Sequence, residues 1–262
     1  MKKQTLIFIL LSVMIASCLV LTACTHTHVY DNGKCICGDL EPSTGLEYIL
    51  SDDETSYSVV GIGLCTDKDI VIPSVYNDKP VTNIGYCAFY GCTSLTSITI
   101  PSSVTSIGDH AFQACTSLTS ITIPSSVTSI GTQAFFYCTG LTNITIPSGV
   151  TSIGDKAFYG CSGLTSITIP SSVTNIGDKT FQDCTSLTSI TIPSSVKSIG
   201  NSAFFNCSGL TNVTFEDPNG WYCTQYEGAT SGKNLTLTDP SQNAIYLRSY
   251  DYYSSYYWYK AN

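Results

Sequence analysis

His26, His28, Cys35 and Cys37 stand within twelve residues, in CTHTHVYDNGKCICGD. Imidazole and thiolate are the ligands zinc prefers, and Gly33 and Gly38 sit where turns would bring the two pairs together. A Cys-x-Cys pair strains a tetrahedral bite, so two readings stand: a small structural zinc site, or a flexible tether. No other constellation carries reaction chemistry. His110 is the only histidine beyond this segment, and no Gly-rich phosphate loop, nucleophile–base spacing or two-His metal motif occurs. A single arginine, Arg248, and a pI near 4.6 leave no basic footprint for nucleic acid. The expectation is a protein that is not an enzyme, with no cofactor apart from that zinc.

The elements that would position such residues begin with an address. Lys2 and Lys3 precede an apolar run from Leu6 to Leu21, broken only by Ser12 and Ser17. A basic start, a greasy core and small residues read as an export signal rather than a spanning helix. Leu21-Thr22-Ala23-Cys24 resembles the lipobox of bacterial lipoproteins. That resemblance implies cleavage before Cys24, a diacylglycerol on its sulfur, and a mature chain held outside the cytoplasm at a membrane or cell surface. The segment that follows resembles short His/Cys knuckles found beside surface-protein anchors, although those close with C-x-x-C-G.

The middle of the chain repeats every 23 residues. Pro101, Pro124, Pro147, Pro170 and Pro193 fall on this period, as do Phe89, Phe112, Phe135, Phe158, Phe181 and Phe204. Six cysteines from Cys92 to Cys207 and six glycines from Gly85 to Gly200 keep the same spacing. A fixed period of this length is the mark of a solenoid, in which neighbouring turns bury what one turn cannot. Within a turn, Leu95, Ile98 and Ile100 alternate with polar residues as a half-buried strand does. Pro101 ends that strand, having no N–H to donate. Val104 and Ile107 point back inward, and Gly108 is read as a position needing a conformation other residues resist. Ala111, Phe112 and Cys115 are spaced as one face of a short helical turn, which Asp109 would cap, with Asp155 and Asp178 repeating the cap.

The unit IxIPSSVTSIGxxAFxxCxxLTS resembles the BspA-like leucine-rich repeats of bacterial surface proteins. That resemblance implies a leucine-rich-repeat solenoid with a parallel β-sheet on one face and short helical turns on the other. GLEYILSDDETSYSVVGIGLCTDKDIVIPS resembles the family's N-terminal β cap, and GWYCTQYEGA with AIYLRSYDYYSSYYWYK its tyrosine-rich C-terminal cap. The expected organisation is a signal peptide over 1–23, a tether over 24–44, an N-terminal cap and degenerate first repeat over 45–83, repeats over 84–215, and an aromatic cap over 216–262. Asp52, Asp53 and Glu54 read as a hairpin turn. The ladder cysteines read as inert core thiols, while Cys65, Cys87 and Cys223 fall in the caps or at a variable site, where a disulfide among them stays open although nothing in their spacing pairs them.

What could bind a partner lies outside the core. Ser97/Thr99 and their counterparts up to Asn212/Thr214 form a flat, uncharged hydroxyl face. Variation between turns concentrates at two dipeptides per turn, 109–110 and 113–114 and their equivalents. There Phe136, Tyr137, Tyr159 and Phe205 are candidate contacts. Trp221, Tyr256 and Trp258 belong to a tail that holds nine of the seventeen tyrosines, and such side chains could stack on sugars or grip a protein. Net charge is −8, and the acids concentrate before residue 84. The leading expectation is a lipid-anchored surface protein binding host or bacterial surface proteins or polysaccharide through its repeats. Carbohydrate binding through the aromatic tail and a passive spacer are the alternatives.

Overall fold

The computed structural model describes residues 30–31, 34–35, 40–248 and 256–261. Each turn of the repeat supplies two strands to two stacks. The first stack runs Asp69–Val71, Ser97–Thr99, Ser120–Thr122, Asn143–Thr145 and Ser166–Thr168, all parallel, and continues as the parallel pair Ser189–Ile192 and Asn212–Phe215. Register is one repeat per rung: Ser120 faces Asn143, Ile121 faces Ile144 and Thr122 faces Thr145. The isoleucines are buried and their Ser, Asn and Thr neighbours exposed, so the expected alternation holds.

A second strand follows the Pro and Val of each turn: Ser106–Ile107, Ser129–Ile130, Ser152–Ile153, Asn175–Ile176 and Ser198–Ile199. These also pair in parallel, again one repeat apart. This sheet has twelve strands because both ends extend it. On one side Lys79–Ile84 and Tyr57–Gly61 continue it in parallel, and Glu47–Leu50 closes a hairpin over the turn at Asp53. The Asp53 carboxylate accepts from Ser51 Oγ at 2.7 Å and from Thr55 Oγ1 at 2.8 Å, bonds that lower its pKa from the ordinary carboxylate value, so it works as a turn residue. On the other side Tyr257–Lys260 and Trp221–Thr224 add antiparallel strands. The helix Pro240–Arg248 packs on Asn212–Phe215, where Asn243 Nδ2 donates to the Val213 carbonyl at 3.0 Å.

The third side of each turn differs from the helical turn that the spacing predicts. Ala111, Gln113 and Cys115 donate their N–H groups within the turn, to the carbonyls of Gly108, His110 and Phe112. His110, Phe112 and Ala114 instead donate to the next turn, to Thr132 at 2.9 Å, Ala134 at 2.7 Å and Phe136 at 2.7 Å. The segment is a run of bends, with His110 and Ala114 at φ of 57° and 59°. The reason is spacing. Helices pack about 8–10 Å apart, whereas strands stack about 4.8 Å apart. Two sides of the solenoid stack as strands, so the third must match them and hands alternate N–H groups to its neighbour.

Two further expectations change for the same reason. Asp109 does not cap its own turn; its Oδ1 accepts from Thr132 N of the next turn at 2.7 Å, and Asp155 and Asp178 accept from Asp178 N and Asn201 N at 2.8 Å. The period glycines do not adopt positive φ at 131, 154, 177 or 200. They are required by proximity: a Cβ on Gly154 would lie 2.7 Å from the Gly131 carbonyl carbon and the Thr132 nitrogen.

The interior consists of ladders. Phe89, Phe112, Phe135, Phe158, Phe181 and Phe204 stack with centroids 5.2–5.6 Å apart and ring planes within 20°. Beside them, the thiols of Cys115, Cys138, Cys161, Cys184 and Cys207 each donate to a phenylalanine carbonyl one turn back, at 2.9–3.1 Å. Burial pushes the thiols of Cys138 and Cys207 up to about 12 and holds Cys161 and Cys184 well above the ordinary thiol range. Inert core thiols is what these environments make.

Candidate functional site

The outer side of the bend segment gathers the aromatic residues that the repeat does not require. Phe136 and Tyr159 occupy one position in successive turns, so their rings meet at rung spacing, 4.9 Å apart and 21° from parallel. Tyr137, the next residue, closes against both, edge-on to Phe136 at 4.6 Å and to Tyr159 at 5.6 Å. Its backbone has φ of 55°, a conformation its position in the bend imposes. Gly160 makes the cluster geometrically workable, because a Cβ there would stand 2.5 Å from Tyr137 Cδ1. Tyr137 remains 45% exposed and Phe136 and Tyr159 are half-buried.

Polar groups fix the cluster's edge. Gln182 Nε2 donates to the Tyr159 hydroxyl at 3.4 Å, and Asn206 Nδ2 donates to Asp183 Oδ1 at 2.7 Å. Loss of water first, then the neighbouring Asp183 carboxylate, pushes the Tyr159 phenol up to about 12, so it stays a neutral hydroxyl at physiological pH. The patch therefore offers apolar ring surface with a hydroxyl, an amide and a carboxylate at its rim. Phe205 is half-buried two turns on from Tyr159 in the same column, with Gln182 between them. Sequence reasoning found the rings and missed Gly160, Gln182 and Asp183. All three lie in the variable dipeptides of successive turns, 159–160 and 182–183, where the period could have pointed to them.

The tail aromatics, read as a cap or alternatively as a ligand platform, divide by their burial. Trp221 and Trp258 are 2% and 1% exposed. Trp258 pairs with Ile199, in the last repeat strand of the second sheet, and lies parallel to Phe215 at 6.2 Å, and Trp221 meets Phe215 edge-on at 5.2 Å while its Nε1 donates to the Asp217 carbonyl. These rings cover the last rungs, whose apolar edges would otherwise meet water, and so present no face to a ligand. Tyr256 is half-buried and its hydroxyl accepts from Gln225 Nε2 at 2.9 Å.

The hydroxyl face is where the alternation put it. Threonines at its edge bond back one turn, Thr165 Oγ1 to the Thr142 carbonyl at 3.0 Å and Thr142 Oγ1 to Thr119 at 3.2 Å. An open groove of about 610 Å³ crosses it between Ser166–Thr168 and Asn212–Phe215. Of the proposed metal ligands, His26, His28 and Cys37 lie outside the described residues, as does Cys24. Cys35 belongs to the two-residue strand Lys34–Cys35, which pairs with Tyr30–Asp31. Among the described residues, no group of three or more His, Cys, Asp or Glu is placed to hold a metal. His110 is engaged with Gln113 and lies edge-on to Tyr86, a surface arrangement.

Comparison with known proteins agrees with this geometry. Residues 65–187 and 129–254 match the BspA type leucine rich repeat region, in six copies. No curated protein matches. Among solved structures, a leucine-rich cell surface protein of Faecalibacterium prausnitzii is 30% identical with a TM-score of 0.57; the match covers 84% of this chain and 63% of that one. The T. pallidum leucine-rich repeat protein TpLRR is 27% identical with a TM-score of 0.55, over 64% of this chain and 89% of that one. With the repeat matched over most of its length, the chain belongs to the BspA-type leucine-rich repeat family.

Proposed function

We propose that this is a surface-displayed interaction protein that grips a protein partner through the aromatic cluster of Phe136, Tyr137 and Tyr159. The cluster is the observation that carries the reading. Interface energy concentrates in a few buried aromatic and Arg anchors ringed by polar groups, and the strand face of the repeats offers exposed Ser, Asn and Thr instead. The F. prausnitzii relative is a cell-surface protein, and the export-type leader ending in Leu21-Thr22-Ala23-Cys24 supports display outside the cytoplasm, held by a lipid on Cys24. Two or more acyl chains suffice for stable anchoring. The protein acts as a binder with no reaction of its own.

The test is capture of the delipidated chain on immobilised matrix proteins, mucin and polysaccharides, followed by Phe136→Ser combined with Tyr159→Ser. Protein capture should weaken by about thirtyfold or more, the effect of losing roughly 2 kcal/mol of anchor, with little change in thermal unfolding. Unchanged capture would remove the cluster from the interface. The groove on the hydroxyl face favours a second reading, a polar polymer held by many weak hydrogen bonds. That reading predicts polysaccharide capture that survives the aromatic substitutions and is lost with Thr168→Val and Thr191→Val.

A further inference from the structure

The sulfur ladder begins differently from the way it continues. From Cys115 onward each thiol reaches back one turn to a phenylalanine carbonyl. The turn before Cys92 has no Phe-Cys rung; Cys65 stands there instead. Cys65 and Cys92 line one cavity of about 490 Å³ at the N-terminal end of the solenoid, with Ile70, Tyr90 and Leu95. Among the described cysteines they are the only two that line it.

We propose that Cys65 and Cys92 form a disulfide that ties the first turn to the repeats. Three observations support the pair. In a regular ladder successive Cβ vectors are parallel, which suits the χ3 of about 90° poorly. This pair escapes that constraint, because Ile70 and Ile98 are register partners and one residue fewer separates Cys65 from Ile70 than Cys92 from Ile98. Cys92 is half-buried with open space before it, whereas Cys115 is fully buried and committed to Phe89. Burial, and then Cys65, raises the Cys92 thiol pKa, in keeping with two thiols on one cavity. Cys87 is no competitor: it sits at φ of 55° in an outward, variable column and lines no part of the cavity. Nearby Leu64 is 91% exposed, so the connection between Gly61 and Cys65 is held by little apolar packing, and a covalent tie supplies what burial does not.

The chemistry is exchange with a disulfide donor. The Cys92 thiolate attacks a donor sulfur and releases one donor thiolate. The Cys65 thiolate then attacks the mixed disulfide and releases the second. Two electrons pass to the donor, and the two cysteine protons end on the released thiols. In the cell this requires an oxidising compartment, so that part rests on the surface-display reading.

The purified full chain is incubated with oxidised glutathione, alkylated under denaturing conditions and mapped by mass spectrometry. The expected result is a loss of two hydrogens, two fewer alkylated thiols and a Cys65–Cys92 cross-linked peptide. Cys65→Ser and Cys92→Ser should each abolish it, and oxidation should raise the unfolding midpoint of the parent but of neither variant. Full alkylation, or a link through Cys87 or Cys223, would overturn the pairing. Protein recovered from cells without reductant is the second arm. A bond that forms in vitro but is missing there would refute oxidative display while leaving the pairing supported.

Discussion

Phe135 and Phe136 are neighbours in sequence and belong to different regimes. Phe135 stands in a column that is phenylalanine in every full turn from Phe89 to Phe204, fully buried and stacked on its neighbours at 5.2 and 5.3 Å. The column of Phe136 runs Tyr90, Gln113, Phe136, Tyr159, Gln182, Phe205. Both columns share one backbone, along which Phe135 donates its N–H to the Ala157 carbonyl of the next turn and Phe136 to the Gln133 carbonyl of its own. In a solenoid the environment of an inner residue is its own copy in the turns above and below, so a change in one rung misfits two others. An outer residue meets solvent and one or two neighbours, and the repeat tolerates whatever is placed there. The interior therefore records the fold, and the exterior has freedom to record a partner.

The largest test of that contrast is alkaline titration. Below pH about 8.5 a thiol is protonated in both the folded and the unfolded chain and leaves stability unchanged. Above it the unfolded chain sheds protons that the buried thiols of Cys138, Cys161, Cys184 and Cys207 retain, so stability falls as pH rises towards 12. Each thiol contributes up to about 1.4 kcal/mol per pH unit. Unfolding should steepen sharply between pH 9 and 11, followed by circular dichroism, and Cys138→Ala should flatten the curve. A pH-independent midpoint over that range would mean the sulfur column is not sealed.

Next in size is Phe158→Ala, which opens the aromatic stack and should cost about 3–5 kcal/mol in urea unfolding. An effect below 1 kcal/mol would show that inner rungs are as independent as outer ones. Gly177→Ala should cost about 1–3 kcal/mol through overpacking, because its added Cβ would meet the Asp155 backbone nitrogen at 3.0 Å and its carboxylate at 2.5 Å. Asp155→Ala, which removes one exposed acceptor from the Asp178 N–H, should cost only about 0.5–1.5 kcal/mol. A larger loss than Gly177→Ala would place an outer carboxylate among the determinants of stacking.

Much of this was legible in the chain. A period of 23 fixes which residues share a column, and alternation fixes which of Ser120, Ile121 and Thr122 face inward. The bend segment was not legible, since Ala111, Phe112 and Cys115 carry the same inward spacing whether the backbone is a helical turn or a stacked bend. The two differ only in whether His110 and Phe112 donate within the turn or to the next one. The tail stayed open between cap and platform for a related reason. Trp221 and Trp258 are amphipathic enough for a surface platform, and only their pairing beyond Ile199 shows that they cover the ladder's end.

The sequence by itself determined the repeat, the inward columns of Ile, Val, Phe and Cys, and the exposed hydroxyl rungs, because these follow from periodicity and the cost of leaving apolar side chains in water. Tertiary structure alone decided that the third side of each turn keeps the same spacing as the strands, and from that the rest follows. A rung separation near 5 Å excludes helices from the third side, requires glycine where one turn presses on the next, brings Phe136, Tyr137 and Tyr159 into one cluster, and sets Cys65 and Cys92 on the same cavity.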